Sequence, residues 1–359
     1  MSYIYQKIIK PIFFKFDPEF IHDRVTFLGR ILGGCGPCRR VLRSRWAYSD
    51  PRLEQNFYGL QFPNPVGLAA GFDKNAQLLD IIPAVGFGFM EVGSITGRPC
   101  AGNDKPRLWR LPEAKSLVVN YGLKCDGAAM IADRLRHKKT NIPLALSIAA
   151  TNCLATAETV ASVEDYVYSL RFLQGIGDMR VINISCPNTY GGQPFTSPER
   201  LEILLQALDT LHDKPTFIKL SPDVQGSALD NLLNVIANHK VEGIICSNLT
   251  KDRGNQKIAG LKVPEKGGLS GKVVEELANR QLAHVYQKTG GKYILIGLGG
   301  IFTAADAYKK IKLGANLVQL VTGLIYQGPQ VIGEINRDLV KLLTSDGYKH
   351  VSEAVGKGI

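Results

Sequence analysis

The sequence predicts an α/β fold, a parallel (β/α)8 barrel of the TIM type that carries a small helical N-terminal module. Three observations lead there. Eight short, apolar, β-branched runs follow one another after residue 50, and each precedes a helical stretch. Small residues and hydrogen-bonding groups gather just after those runs, at the end of the barrel where such folds place their chemistry. The first 50 residues differ from the rest, being dense in Lys and Arg and helical in period. A doubly wound open sheet is the competing architecture, but it does not need so regular a set of repeats. The 359 residues are 45% hydrophobic, enough for one large core with an appendage. We therefore divide the chain into a module at 1–50 and a barrel at 51–359.

The opening stretch, MSYIYQKIIKPIFFKF, is interrupted by Lys7, Lys10, Pro11 and Lys15, which argues against a membrane span and a signal-peptide core. Asp17-Pro18-Glu19 then reads as an N-cap, a first-turn proline and a first-turn acid, so a helix should start there. Phe20, Ile21, Phe27, Leu28, Ile31 and Leu32 give it a broad apolar side, while Arg24, Arg30, Arg39, Arg40, Arg43 and Arg45 load the segment with charge. That composition fits a helical module lying at a membrane interface, with a helix pair packed on the barrel as the alternative. Cys35-Gly36-Pro37-Cys38 spells a redox-type motif. Such motifs act at a helix N-terminus that follows a strand, and no strand precedes this one, so a turn between helices is expected. No second ligand pair follows it, and no metal site is expected. Seven cysteines without a framework pattern suggest reduced thiols in a cytosolic compartment. The formal charge of +11 calls for an acidic partner, be it nucleic acid, an anionic membrane or an anionic small molecule. The chain stops soon after the eighth helix, which leaves no appended RNA-binding domain, and no nucleic-acid partner is expected.

The strand-like runs lie at 65–70, 87–96, 143–149, 179–185, 216–220, 241–247, 293–297 and 317–322. Helical segments are expected at 76–84, 128–137, 163–173, 198–211, 227–239, 273–287, 304–313 and 330–343. The run ends carry the candidates. AAGFDK at 69–74 offers small residues for close backbone approach and then a cation, Lys74. Ser94 and Thr96 follow the second run, Lys219-Leu220-Ser221-Pro222-Asp223 the fifth, and Ser247-Asn248 the sixth. Gly297-Leu298-Gly299-Gly300 and Thr322-Gly323 close the seventh and eighth, the location where backbone N–H groups of such barrels cradle a phosphate. A phosphate there, with lysines at 74 and 219, suggests a phosphorylated cofactor over the barrel mouth, where Lys219 can stabilise negative charge on a reduced ring.

The fourth run ends in VINISCPNTYGG at 181–192, where Pro187, Asn188 and the Gly191-Gly192 pair turn strand into loop. Cys186 sits at that junction between Asn183 and Asn188. The pair of amides can bind a flat polar ligand beside a thiol able to move a proton. A buried structural cysteine with two turn-forming asparagines is the other reading of the same residues.

Taken together, the chain resembles the dihydroorotate dehydrogenases, and in particular their quinone-linked, membrane-associated branch. The resemblance covers nearly the whole chain. It rests on Pro18, Glu19 and His22 in the basic N-terminus, AAGFDK at 69–74, GNDKPRLWRL at 102–111, NISCPNT at 183–189, KLSPD at 219–223, GGLSG at 267–271 and GLGGI at 297–301. It implies a flavin mononucleotide (FMN) barrel that oxidises dihydroorotate to orotate in pyrimidine biosynthesis and passes the electrons to a membrane quinone. It also implies a peripheral location on the cytoplasmic face of the inner membrane. By the same resemblance Ala69, Ala70, Gly71, Ser94, Asn183, Lys219, Ser247, Gly271, Gly300 and Thr322 match flavin-contacting positions. Lys74, Asn183, Asn188 and Asn248 match positions that hold orotate, Cys186 matches the catalytic base, and His22 and Arg110 match positions lining the quinone approach.

The departures concern the substrate end. The quinone-linked branch generally uses serine as base and the soluble branch cysteine, so Cys186 mixes two patterns. Val119 stands where the family has a substrate-binding Asn, Leu123 replaces a Phe, and Leu249 replaces a Thr or Ser. Ser147 and Ala150 replace an Asn and a Lys, and Val321 a Tyr. Losing one hydrogen bond to a buried polar ligand costs about 1–3 kcal/mol. The same residues therefore admit an FMN-dependent paralogue for another dihydropyrimidine or an enoate-type substrate, or a catalytically silent flavin-binding barrel.

Overall fold

A computed structural model describes residues 2–190 and 192–359; Met1, and Gly191 of the expected turn, lie outside it. Eight parallel strands close into a barrel. In chain order they are β1 (Val66–Leu68), β2 (Phe89–Ile95), β3 (Leu144–Ile148), β4 (Met179–Asn183), β5 (Thr216–Leu220), β6 (Gly243–Cys246), β7 (Ile294–Leu298) and β8 (Leu317–Leu320). Each pairs with its neighbours in sequence, and β8 closes on β1 through Val318 opposite Val66 and Leu320 opposite Leu68. Strands buried on both faces need continuous apolar runs, and every expected run overlaps one of them, seven containing the strand whole and the run 293–297 stopping one residue short of Leu298. Helices 159–173, 198–209, 226–236, 275–289, 304–312 and 331–345 wrap the outside, within a few residues of expectation.

The helix expected at 76–84 shrinks to Ile82–Val85. Ala76 takes a left-handed φ of +54°, and the Asp73 carboxylate accepts the N–H groups of Gln77 and Leu78, each at 2.8 Å. Those bonds satisfy backbone donors without a helix, so the segment stays an irregular loop over the mouth.

The barrel base is closed by a hairpin, Gln55–Phe57 paired with Leu60–Phe62, which none of the expected strand runs covers. Phe62 packs edge-on against Phe89 at 5.5 Å, and these two join Phe217, Ile245, Ile296 and Leu317 in an apolar floor. Glycine makes that floor possible. A Cβ at Gly67 would lie 2.3 Å from the Phe89 ring, and one at Gly243 2.0 Å from the Phe217 ring.

At the opposite end an antiparallel three-stranded sheet stands beside the mouth, formed by Leu108–Leu111, Ser116–Val119 and Gly268–Leu269. The sequence reading missed it, because its strands are short and turn through Pro112. The N-terminal module reaches this sheet. After a first helical stretch at 2–13 come α1 (Pro18–Gly34) and α2 (Gly36–Trp46). Asp17 caps α1 by accepting the Phe20 N–H at 2.8 Å, as expected of an Asp-Pro-Glu start. Glu19, buried, receives Arg107 in a two-pronged pair at 2.7 and 3.0 Å, with the amino groups of Lys105 and Lys124 each 3.6 Å away. This pair fastens α1 to the edge of the mouth. Cys35 and Cys38 differ from the expectation of reduced thiols: the tight α1–α2 turn brings their Cα atoms to 5.2 Å and the sulfurs are bonded. The motif is a turn between helices, as expected, but it also opens a helix.

Candidate functional site

The C-terminal strand ends surround a cleft made of two cavities that share Ala70, Lys219, Asn248, Ser270 and Thr322 in their walls. The inner one, of about 90 Å³, runs along Gly271, Gly299, Gly300 and Gly323. The outer one, of about 180 Å³, is lined by His22, Lys74, Ser94, Asn183, Cys186 and Asn188, among others. With Cys186 and His22, fourteen candidates from the sequence thus line one continuous space, because successive strands deliver their last residues to the same rim. The other twelve are Ala69, Ala70, Gly71, Ser94, Asn183, Lys219, Gly271, Gly300 and Thr322 of the cofactor set, with Lys74, Asn188 and Asn248 of the substrate set. Gly71 lies at φ +100°, and a Cβ there would meet no atom within 4 Å, so its backbone is open to the cleft.

A polar lattice fixes the asparagines. Asn183 Nδ2 donates to Ser94 Oγ at 2.8 Å, and Ser94 Oγ pairs with Ser147 Oγ at 2.9 Å. Asn183 Oδ1 accepts the Ser185 hydroxyl at 2.9 Å, and Asn248 Nδ2 donates to Ser185 Oγ at 2.8 Å. Tyr166 OH holds the Asn183 carbonyl at 2.8 Å from behind. Side chains locked in this way keep their amides aimed without further entropy loss on binding. Ser147, one of the departures, is wired into the lattice rather than lost from it.

Charge sits at two depths. In the barrel axis Lys219 Nζ lies 3.1 Å from both oxygens of Glu91, and both residues are buried. Near the rim Lys74 Nζ stands 4.0 Å from the centre of the Tyr121 ring. Burial and then the Lys124 charge lower its pKa to about 8, so an arriving carboxylate would restore full protonation. His22 Nε2 meets the Phe72 carbonyl at 2.8 Å, and burial followed by the Lys74 charge pushes its pKa down, which makes it a neutral wall residue at physiological pH. For Cys186 burial raises the thiol to about 11, partly offset by the Asn188 N–H. The thiol is therefore protonated in this state, and any use as a base needs help from what binds beside it.

The substrate side is more apolar than its neighbours. Val119, Leu123 and Leu249 all face the outer cavity. Asn120 turns the other way and accepts from Asn103 at 3.2 Å, so it does not replace the missing amide at 119. Asn188 donates to the Val119 carbonyl at 2.7 Å, which holds its loop against the mouth sheet.

Two expected residues stand apart. Arg110, matched to the quinone approach, lies outside the cleft lining and beside the N-terminal segment: its guanidinium donates to the Phe16 carbonyl at 2.7 Å and lies 4.6 Å from the centre of the Phe14 ring. Ser247 is fully buried behind the cleft, and its Oγ has no partner within the described protein. Four contributors escaped the sequence reading: Glu91, Ser185, Tyr166 and Gln319. Glu91 carried a usable signal, a carboxylate inside the otherwise apolar strand FMEVGSI. Gln319, in β8, is completely buried on the inner cavity with neither amide atom partnered in the described protein. A flavin would fit these walls, since Gln319 supplies two unmatched polar atoms on a glycine-lined pocket.

Comparison with known proteins agrees with this arrangement. The family profile described as "Dihydroorotate dehydrogenase" matches residues 52–343. A "Dihydroorotate dehydrogenase (quinone)" from Natronomonas pharaonis is 38% identical over 99% of both chains. One of the same description from Nautilia profundicola is 39% identical over 97% of this chain and 96% of its own. Among solved structures, a dihydroorotate dehydrogenase of Eimeria tenella in complex with ferulenol superposes with a TM-score of 0.85 at 28% identity, covering 95% of each chain.

Proposed function

This chain belongs to the dihydroorotate dehydrogenase family, and from that premise we propose that it oxidises dihydroorotate to orotate with FMN as cofactor and a membrane quinone as acceptor. The observation that carries the reading is the convergence of Cys186, Lys74, Asn183, Asn188 and Asn248 on one cleft that continues into the glycine-lined cavity. FMN, when bound, would take the C6 hydride and return the electrons to quinone. The chain's own residues do the rest. Lys74 pairs with the substrate carboxylate, which gives the ammonium back the charge stabilisation that burial and Lys124 take from it in the free protein. Asn183 and Asn248 orient the ring amides, being held already by Ser94 and Ser185. Cys186 Sγ takes the C5 proton. Gly271, Gly300 and the start of the helix Thr322–Gln327 would receive the cofactor phosphate on backbone N–H groups, and Lys219 would face the ring.

We assign membrane contact to residues 1–50. Ile4, Ile8 and Ile12 in the first helical stretch, Phe16 just after it, and Phe20, Phe27, Leu28 and Ile31 in α1 are each about half exposed, a stripe that water does not favour. No helix among the described residues is long and apolar enough to cross a membrane, so contact would be peripheral. Phe27→Ser combined with Ile31→Ser should abolish co-sedimentation with lipid vesicles and slow reduction of a lipid-borne quinone, while flavin reduction by dihydroorotate stays near wild type. Unchanged sedimentation would remove the assignment.

The deciding experiment adds dihydroorotate to the purified protein without oxygen and follows the flavin absorbance. Rapid bleaching supports the reading. A flavin that only dithionite bleaches would favour the second reading, a paralogue for another dihydropyrimidine or an enoate, which Val119 and Leu249 recommend. Val119→Asn restores an amide to that wall. It should tighten orotate binding about tenfold, as one hydrogen bond to a buried ligand is worth roughly 1–3 kcal/mol, measurable by flavin perturbation.

A further inference from the structure

Cys35-Gly36-Pro37-Cys38 joins α1 to α2, and no step of the reaction above uses it. Cys35 ends one helix and begins the next: its N–H donates to the Leu32 carbonyl at 3.2 Å, and its carbonyl accepts the Arg39 N–H at 3.0 Å. Its Sγ accepts the Cys38 N–H at 3.3 Å. Gly36 and Pro37 are exposed and both sulfur-bearing residues are half-exposed, whereas Cys100, Cys125 and Cys246 are buried. The eleven residues of α2 run away from this point, so negative charge on Cys35 would meet the positive end of a helix. Beside it Arg39, Arg40 and Arg43 face Lys139 across a groove of about 380 Å³, in which Asp80 supplies the one carboxylate among the described lining residues.

We propose that Cys35 and Cys38 form a thiol–disulfide exchange site that takes small, carboxylate-bearing thiols and disulfides. In the reducing direction an incoming thiolate attacks Cys38 Sγ and the bond between the two protein sulfurs breaks. The electron pair leaves on Cys35 Sγ, where the Cys38 N–H and the helix end hold it. A second thiolate then attacks the mixed disulfide and frees Cys38. Two electrons have passed to the protein, the two donors leave as their disulfide, and the protein thiolates take up from water the protons that the donor thiols released on ionising. The reverse sequence, with such a disulfide as oxidant, restores the bond. A stabilised leaving thiolate speeds each exchange, and the arginine groove concentrates anionic reagents beside it.

The test uses the full-length folded protein and needs neither cofactor nor turnover, so its failure is separate from failure of the assigned reaction. Glutathione, an anionic thiol, is compared with cysteamine, a cationic one, at equal thiolate concentration. Free thiols are trapped with a maleimide and mapped by peptide mass. The expected result is that Cys35 and Cys38 become labelled together without denaturant, while Cys100, Cys125 and Cys246 stay unlabelled, and that glutathione disulfide re-forms the bond. Glutathione should react faster than cysteamine by on the order of tenfold at low salt, an advantage that shrinks as salt rises and disappears in Arg40→Ser with Arg43→Ser. Labelling of the pair only after denaturation would overturn the proposal in favour of a structural staple. Cysteamine matching glutathione would overturn the selection for anionic thiols.

Discussion

Cys186→Ala is expected to slow flavin reduction by dihydroorotate about a hundred- to ten-thousandfold, the range lost when a positioned proton acceptor is removed, while flavin content stays unchanged. Cys186 touches the outer cavity but none of the glycine-lined inner one, so cofactor retention has no reason to follow. The wild-type pH profile makes a second readout of the same residue. Burial raises the thiol to about 11, and the reactive form is the thiolate, so the acid form dominates at lower pH and the rate must rise with pH. A slope approaching tenfold per unit between about pH 7 and about pH 10 is the expected stopped-flow result. Should the profile be flat, or should the Ala variant bleach at the wild-type rate, the proton goes elsewhere.

Lys219→Met is expected to lower stability by about 3–5 kcal/mol, because Glu91 would remain in the barrel axis without its cation. Thermal unfolding should show a large drop, accompanied by weaker flavin retention. Adding Glu91→Leu to the same protein should recover most of the stability, since removing both members of a buried pair costs far less than removing one. Flavin retention should not recover with it, because Lys219 also forms part of the inner cavity wall. A double variant as unstable as the single one would mean that the pair does not govern the barrel centre.

The barrel was legible because its strands are buried on both faces and therefore written as uninterrupted apolar runs. The cleft was legible because a barrel brings strand ends to one rim, which turned Lys74, Ser94, Asn183, Lys219 and Asn248 from separate residues into one set. What stayed hidden depended on partners distant in sequence. Glu91 and Lys219 lie 128 positions apart, and neither run announces the other. Arg110 was matched to the quinone approach by its motif alone, and the Phe16 carbonyl that directs its guanidinium lies 94 positions away. The mouth sheet was missed because strands of two to four residues fall below any reliable period. The helix over 76–84 was read from apolar spacing alone, and the Asp73 carboxylate outcompeted it for the same backbone donors.

The aromatic floor has a consequence for access to the cleft. With Phe62, Phe89 and Phe217 filling the base, the vessel has one neck. Whatever delivers electrons to the cleft and whatever collects them must be received at that end. Traffic to and from the cleft then shares one face of the molecule, and the filled base leaves no corridor along the barrel axis.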